Sequence, residues 1–260
     1  MNGQKATEAF EKMIDLIHRR DSYSCISLCV AKSHFMFVNN SQLTYSTFAK
    51  DKNKTFKEST SLSENLGFSE RIVLNDFADE VSYYRSNEKN SITEEHQFDI
   101  SNVKEEKMTY SDYLKLYRVR LDSPFPYMLC LDTVTCLSFD ENSRILRFKV
   151  SKKGLEDYQQ YMMTTTKDTK MALAKQAMPP LFKSCQIEMS LDEDFFPTEA
   201  KIREEYTVCS LFKVPTVAYS LYKIQTFKTS VDESFVCHYD KVLEDELLKS
   251  IADKEENKKK

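Results

Sequence analysis

The start of the chain has the spacing of an amphipathic helix. Between residues 6 and 19, apolar side chains recur every three or four positions and fall on one helical face. These apolar positions are Ala6, Phe10, Met13, Ile14 and Ile17. From Ser22 the period changes, and β-branched, aromatic and cysteine residues dominate the next stretch. That change predicts a helix followed by a long β-strand.

The next part of the chain reads as strands separated by polar turns. A hairpin is expected around Asp51–Asn53, and a second one around Phe77–Asp79. Residues 96–103 are consistent with a short strand. A short helix is expected from Tyr110 to Arg118, with Thr109 or Ser111 available to cap its first turn.

The second half predicts a hairpin, a helix and three further strands. Alternating polar and apolar positions flank a turn at Asp140–Ser143, which indicates a sheet with one buried face. A helix is expected from Lys152 to about Met178, with Pro179–Pro180 ending it. Strands are expected at 182–192, 199–212 and 218–229. A C-terminal helix is expected from about Lys241.

Together these elements predict an α+β fold. We expect a strongly curved antiparallel β-sheet of eight to eleven strands, an open half-barrel, covered by the N-terminal helix and a helical insertion. The 260 residues are 41% hydrophobic and 12% aromatic, which is too apolar for a disordered chain. No internal repeat or composition break divides the chain. We therefore predict one domain over residues 1–252 and a disordered charged tail over 253–260.

Composition argues against several classes of protein. The chain has three glycines, Gly3, Gly67 and Gly154, so it lacks the glycine clusters of dinucleotide-binding folds, P-loops and nucleophile elbows. A net charge of −4 does not suggest nucleic-acid binding. No apolar run is long enough for a transmembrane helix, and the first residues lack the apolar region of a signal peptide. The chain is therefore expected to be cytoplasmic or to have lost a leader.

The side chains that carry chemistry do not form a recognisable motif. The seven cysteines include no C-x-x-C pair, and we expect them to be buried, reduced thiols. Glu94–His96 and Cys237–His238 lack the spacing of a metal site or a nucleophile–base pair. The carboxylates of residues 192–205 read as a solvated turn. We expect no catalytic residue, no metal and no cofactor.

Three segments resemble the LolA/LolB-like lipoprotein-carrier superfamily. Residues 6–30 are similar to its amphipathic helix and first strand, residues 71–86 to its central hairpin, and residues 185–206 to its penultimate hairpin. The resemblance covers about residues 5–230. It implies an open half-barrel that binds an acyl chain or another apolar ligand, and an extracytoplasmic, cell-surface or periplasmic location with the leader removed. A cytoplasmic location is the alternative.

The predicted function is non-enzymatic binding of a hydrophobic ligand, a lipid or acyl chain, or of a lipoprotein-type partner, between sheet and helices. Aromatic side chains in the predicted strands would line the concave face. The residues expected nearest to that face are Val81, Tyr83, Leu146, Phe148, Ile187, Met189, Tyr206 and Val208. The alternative is a protein-interaction or structural module with a filled core and no ligand.

Overall fold

The architecture is that of a single curved sheet with helices on one face. A computed structural model describes residues 2–35, 38–63, 67–75, 78–86, 88, 90, 92, 98–118, 121, 124, 129–167, 178–209, 213–228 and 249. Within these ranges the chain forms three α-helices and eleven strands. The expected C-terminal helix from Lys241 lies almost entirely outside the described residues.

The helices and strands alternate along the chain in the predicted manner. The helices are α1 (Asn2–Arg19), α2 (Tyr110–Tyr117) and α3 (Lys152–Lys167), with a short 3₁₀ helix at Leu131–Thr133. The strands are β1 (Ser22–Phe35), β2 (Val38–Asp51), β3 (Lys54–Ser63), β4 (Gly67–Asn75), β5 (Glu80–Ser86), β6 (Glu105–Met108), β7 (Val134–Asp140), β8 (Ile145–Val150), β9 (Met178–Leu191), β10 (Pro197–Cys209) and β11 (Lys213–Lys228).

The sheet is antiparallel throughout and open at both ends. Its order is β6-β5-β4-β3-β2-β1-β11-β10-β9-β8-β7. The first and last long strands, β1 and β11, therefore pair in the middle of the sheet. Strands β6 and β7 form its two edges, and the result is the strongly curved, open half-barrel that the sequence predicts.

Helix α1 covers the β7–β10 side of the sheet. Phe10, Met13 and Ile17 are at most 1% exposed, and the ring of Phe10 meets that of Phe148 edge-on at 5.5 Å. The end of α1 is held by two side chains of the sheet. The Tyr23 hydroxyl donates to the Ile17 carbonyl, and the Lys50 ammonium donates to that of His18. Both bonds satisfy carbonyls that a helix end leaves free.

Helix α2 covers the same face of the sheet at its other end, over β4 and β5. The Thr109 hydroxyl accepts a hydrogen bond from the Asp112 N–H, which confirms the expected cap. Tyr113 and Tyr117 of α2 pack into a cluster with four buried residues of β4 and β5 and with Leu121. The four strand residues are Ile72, Leu74, Val81 and Tyr83.

Helix α3 lies between these two halves. Leu155 and Tyr158 pack against the cluster under α1, and Tyr161 packs against the cluster under α2. We call the sheet face that the three helices cover the helix face. The opposite face carries a smaller buried cluster of Leu28, Val30, Tyr45 and Leu221.

Two expectations about local structure were wrong. Pro179–Pro180 do not end a helix but begin β9. They are tolerated there because β8 pairs with β9 only from Gln186 to Ser190, which leaves the first residues of β9 with one open edge. The short strand expected at 96–103 is reduced, within the described residues, to one isolated bridge between Ile92 and Phe98, and β6 follows it.

Candidate functional site

Strand register places the predicted ligand-lining residues on the helix face. Leu146, Phe148, Ile187 and Met189 pair across β8 and β9 and are buried under α1. These four side chains belong to the filled core. Val81 and Tyr83 are buried in the cluster around α2. Tyr206 is partly exposed on β10, and Val208 lies further along that strand, with its side chain outside the described set.

A surface groove lies beside α3. It has a volume of about 610 Å³ and runs between α3 and strands β8 and β9. Val150, Leu155, Phe182 and Cys185 contribute to its apolar lining. This volume is within the range of small-molecule sites, which are mostly lined by apolar side chains.

Two large apolar side chains of the groove are open to solvent. Met163 on α3 is 37% exposed and Leu181 on β9 is 42% exposed. Gln159 of α3 also lines the groove, and its Oε1 accepts a hydrogen bond from the Phe182 N–H. Its Nε2 is buried without a hydrogen-bond partner among the described residues. The groove therefore combines uncovered apolar surface with one buried polar donor.

A chain of aromatic rings leads from the groove under α3. The ring of Phe182 lies 4.9 Å from Tyr158 and 5.3 Å from Tyr206. Tyr158 stacks on Tyr161 at 6.0 Å. Because Tyr161 reaches the cluster around α2, these rings join the two sides of the half-barrel. The sequence analysis recognised the supply of aromatic residues but not this connection, which depends on how α3 docks.

A polar cluster occupies the helix face on strands β3–β5. The Tyr83 hydroxyl donates a 3.2 Å hydrogen bond to Glu70 Oε2, and Glu70 is only 6% exposed. Arg85 stands directly opposite Glu70 on β5, and Lys57 is its diagonal neighbour on β3. We call Lys57, Glu70, Tyr83 and Arg85 the β3–β5 polar cluster.

Burial changes the acidity of this region. Loss of hydration lowers the pKa of Lys57, an effect that the negative charge of Glu70 opposes. Burial, with Glu70 adding to it, raises the pKa values of Tyr83, Tyr113 and Tyr161. These phenols therefore stay protonated at neutral pH.

Hydroxyl groups continue the polar surface toward the middle of the sheet. Ser46 and Ser59 lie 3.1 Å apart across β2 and β3, and Thr44 and Ser61 lie 2.8 Å apart one step further on. Register places all four on the helix face. Sequence reasoning missed this surface. The available signal was the run of small polar residues at every second position of β3.

The thiols in the sheet are poorly suited to nucleophilic chemistry. Burial raises the pKa values of Cys25 and Cys29 to about 12, so neither is a thiolate at neutral pH. Partly exposed Cys130 donates to Asp132 Oδ1 at 2.6 Å, and burial together with that carboxylate raises its pKa. Cys25, Cys29, Cys130, Cys136 and Cys185 are free thiols, and the expectation of buried cysteines is wrong for Cys136, which is exposed.

Other candidates from the sequence do not gather into a site. In the part of the chain that the structure describes, no three His, Cys, Asp or Glu side chains are placed to hold a metal. Glu94–His96 and Cys237–His238 lie outside the described residues. Asp192 accepts the N–H groups of Asp194 and Phe196 and thus shapes the β9–β10 turn. None of the described helices has the length and apolarity needed to cross a membrane.

Comparisons with known proteins show only distant structural similarity. No protein-family model and no curated protein sequence matches the chain. A solved DUF1329 family protein from Desulfovibrio piger is 8% identical, with 89% of this chain and 95% of that chain covered, at a TM-score of 0.32. A putative outer membrane lipoprotein-sorting protein domain from Vibrio parahaemolyticus is 8% identical, with 88% and 95% covered, at a TM-score of 0.28. Scores this low do not define a family for this chain.

Proposed function

We propose that this protein binds a hydrophobic ligand, a lipid or an acyl chain, in the groove beside α3, without enzymatic chemistry. One observation carries the proposal. The groove of about 610 Å³ has Val150, Leu155 and Phe182 among its lining residues and leaves Met163 and Leu181 uncovered. Large apolar side chains that share a concave surface are typical of binding sites rather than of ordinary exterior.

Burial of apolar area would drive such binding. Each methylene group that leaves water contributes about 0.8 kcal/mol. A chain with about fifteen methylene groups would therefore gain roughly 12 kcal/mol, of which about 8 kcal/mol is left when about 4 kcal/mol is subtracted for the entropy cost of association. That free energy corresponds to a micromolar dissociation constant for a single acyl chain. A lipoprotein-type partner would present the same chemistry through its acyl groups.

The location of the protein stays a prediction. An extracytoplasmic, cell-surface or periplasmic site is what the resemblance to lipoprotein carriers implies, and the cytoplasm is the alternative. The proposed binding requires neither a metal nor a cofactor.

Two measurements on purified protein test this function. Organic-solvent extraction followed by mass spectrometry would find a co-purified lipid in stoichiometric amount. Titration with a fluorescent fatty acid would saturate at micromolar concentration. Leu181→Glu places a charge in the groove and is expected to weaken binding at least tenfold. Leu116→Glu alters a leucine of α2 that is 45% exposed, outside the groove lining, and is expected to bind as the wild type does. Absence of both lipid and binding would refute the proposal.

A second candidate is a protein-interaction module. It is favoured by β7, an edge strand that pairs only with β8 in the described sheet. An extended peptide could add to that edge through backbone hydrogen bonds. The packed core under α1 needs no ligand and is compatible with this role. Partner binding that survives Leu181→Glu, without any lipid binding, would favour it.

A further inference from the structure

Gln159 interrupts an apolar stripe on α3. Leu155, Gln159 and Met163 are spaced four residues apart and all line the groove, so their side chains follow one another along one face of the helix. Leu155 packs against the cluster under α1, whereas Met163 is 37% exposed. A polar side chain therefore stands midway along a stripe that runs from the packed core to the solvent.

The two polar atoms of the Gln159 side chain differ in their bonding. Oε1 accepts the Phe182 N–H at 3.1 Å, which fixes the orientation of the amide. Nε2 is buried and has no hydrogen-bond partner among the described residues. A side-chain amide carries two N–H donors, and buried donors in folded proteins are normally bonded. An acceptor supplied by a ligand in the groove would recover the free energy that this unsatisfied donor costs.

The charged residues that line the groove are all exposed. They are Lys149, Lys152, Glu156 and Lys183, and the Lys152 ammonium lies 3.7 Å from Glu156 Oε1 in a pair open to water. A carboxylate or phosphate would stay hydrated beside these lysines, because moving it to an uncharged amide costs more than one hydrogen bond returns. The acceptor that suits the buried Nε2 of Gln159 is therefore uncharged.

We propose that Gln159 recognises the ester carbonyl of an acylated lipid, with its Nε2 donating a hydrogen bond to the carbonyl oxygen. The inference rests on the function proposed above and names the class of acyl ligand. The acyl chain would lie against Leu181 and Met163. The Met163 side chain is unbranched and adaptable, so it can move aside as the ester approaches Gln159. A free fatty acid would bind through its chain alone and leave its carboxylate near the exposed lysines.

Methyl palmitate and palmitate, each delivered from cyclodextrin, test the proposal as competitors of a fluorescent fatty acid. Gln159→Met removes the donor without adding a charge. It is expected to lower the affinity for the ester, relative to that for the acid, about fivefold. Gln186→Met is the matched control and should leave this ratio unchanged, because Gln186 is an exposed residue of β9 outside the groove lining. Circular dichroism establishes that each variant is folded.

The infrared stretch of the ester carbonyl reports the contact directly, because a hydrogen bond lowers its frequency and the band is separate from the protein amide band. Methyl palmitate bound to the wild type should absorb at a lower frequency than the same ester bound to Gln159→Met. Gln159→Glu keeps an acceptor for the Phe182 N–H and replaces Nε2 by an oxygen. It should resemble Gln159→Met, which would show that the shift comes from the donor and not from the bond to Phe182.

Failure of this inference and failure of the groove proposal are distinguishable. If the ester competes with the fluorescent fatty acid but its carbonyl frequency and relative affinity are the same in wild type and Gln159→Met, the role of Gln159 is overturned and the groove proposal stands. If neither the ester nor the acid binds to the wild type, both are overturned. A frequency shift that the wild type and Gln186→Met share and both Gln159 variants lack is the expected result.

Discussion

The Tyr83 hydroxyl lies 3.2 Å from Glu70 Oε2, and both side chains are less than 7% exposed. This hydrogen bond joins neighbouring strands β4 and β5 on the face that the helices cover. It provides a specific partner for a carboxylate that would otherwise be buried at high cost. The helix face therefore combines polar contacts with apolar packing on β4 and β5, whereas apolar side chains pack under α1.

Removal of the Tyr83 hydroxyl should destabilise the protein. Tyr83→Phe leaves Glu70 without this donor, and we expect a loss of about 2 kcal/mol in the free energy of unfolding. Tyr84→Phe is the matched control, because its hydroxyl bonds to exposed Glu105 at 2.9 Å. Urea denaturation should show almost no change for that variant. Equal effects of the two substitutions would contradict a special role for the buried bond.

Gly154 in α3 should not tolerate a side chain. A Cβ atom there would lie 2.6 Å from Val150 Cγ1 and 2.8 Å from the Thr133 carbonyl oxygen, which also accepts the Ser151 N–H. Gly154→Ala should destabilise by about 1–3 kcal/mol, although alanine favours helices by up to about 1 kcal/mol. Gly3→Ala in α1 meets nothing within 4 Å and should be neutral or stabilising. Thermal denaturation of both variants tests this contrast, and a stabilising Gly154→Ala would refute it.

The packing of α1 should dominate the stability of its half of the sheet. Met13 is fully buried in the cluster that α1 forms with β8–β10, so Met13→Ala should cost about 2–5 kcal/mol. Glu11→Ala changes an exposed position of the same helix and should change stability by less than about 0.5 kcal/mol. Chemical denaturation measures both. A cost for Met13→Ala as small as that for Glu11→Ala would show that α1 is not docked as described.

Stability should fall at alkaline pH. Burial raises the pKa values of four tyrosines in the folded protein, Tyr83, Tyr113, Tyr158 and Tyr222. Tyrosines in the unfolded chain ionise at their ordinary pKa of about 10. The unfolded chain then loses protons that the native state keeps, so stability is full below about pH 10 and decreases above it. The lowered pKa of Lys57 acts in the opposite direction but involves one group.

Absorbance of tyrosinate near 295 nm, recorded together with circular dichroism from pH 8 to 12, measures this effect. We expect part of the tyrosine signal to appear only with the loss of secondary structure. Complete ionisation of all tyrosines before unfolding would contradict the buried positions assigned to these rings.

Much of the fold could be predicted because polar turn residues and changes in hydrophobic period mark its elements in the sequence. The polar Asp51–Asn53 step marks the β2–β3 hairpin, and the change of period at Ser22 marks the start of β1. Strand β6 was missed because Glu105–Met108 is short, polar and at an edge, where neither alternation nor apolar content identifies a strand.

The polar interior could not be predicted as readily. Charged residues in strands usually face water, so the sequence around Lys57 and Glu70 gives no signal of a covered position. Glu70, Ile72 and Leu74 do share one face by alternation, but only the register with β3 and β5 shows that the helices cover it. The groove depends on the docking of α3 against β9, which no local pattern encodes.

The central claim is that an acyl chain binds beside α3, and photocrosslinking tests it most directly. A fatty acid with a diazirine on its chain would be irradiated with the protein, and labelled peptides would be mapped by mass spectrometry. We expect labels within residues 155–163 and 181–185, suppressed by excess unlabelled fatty acid and by Leu181→Glu. Saturable labelling confined to other parts of the chain, or no competable labelling, would contradict the account.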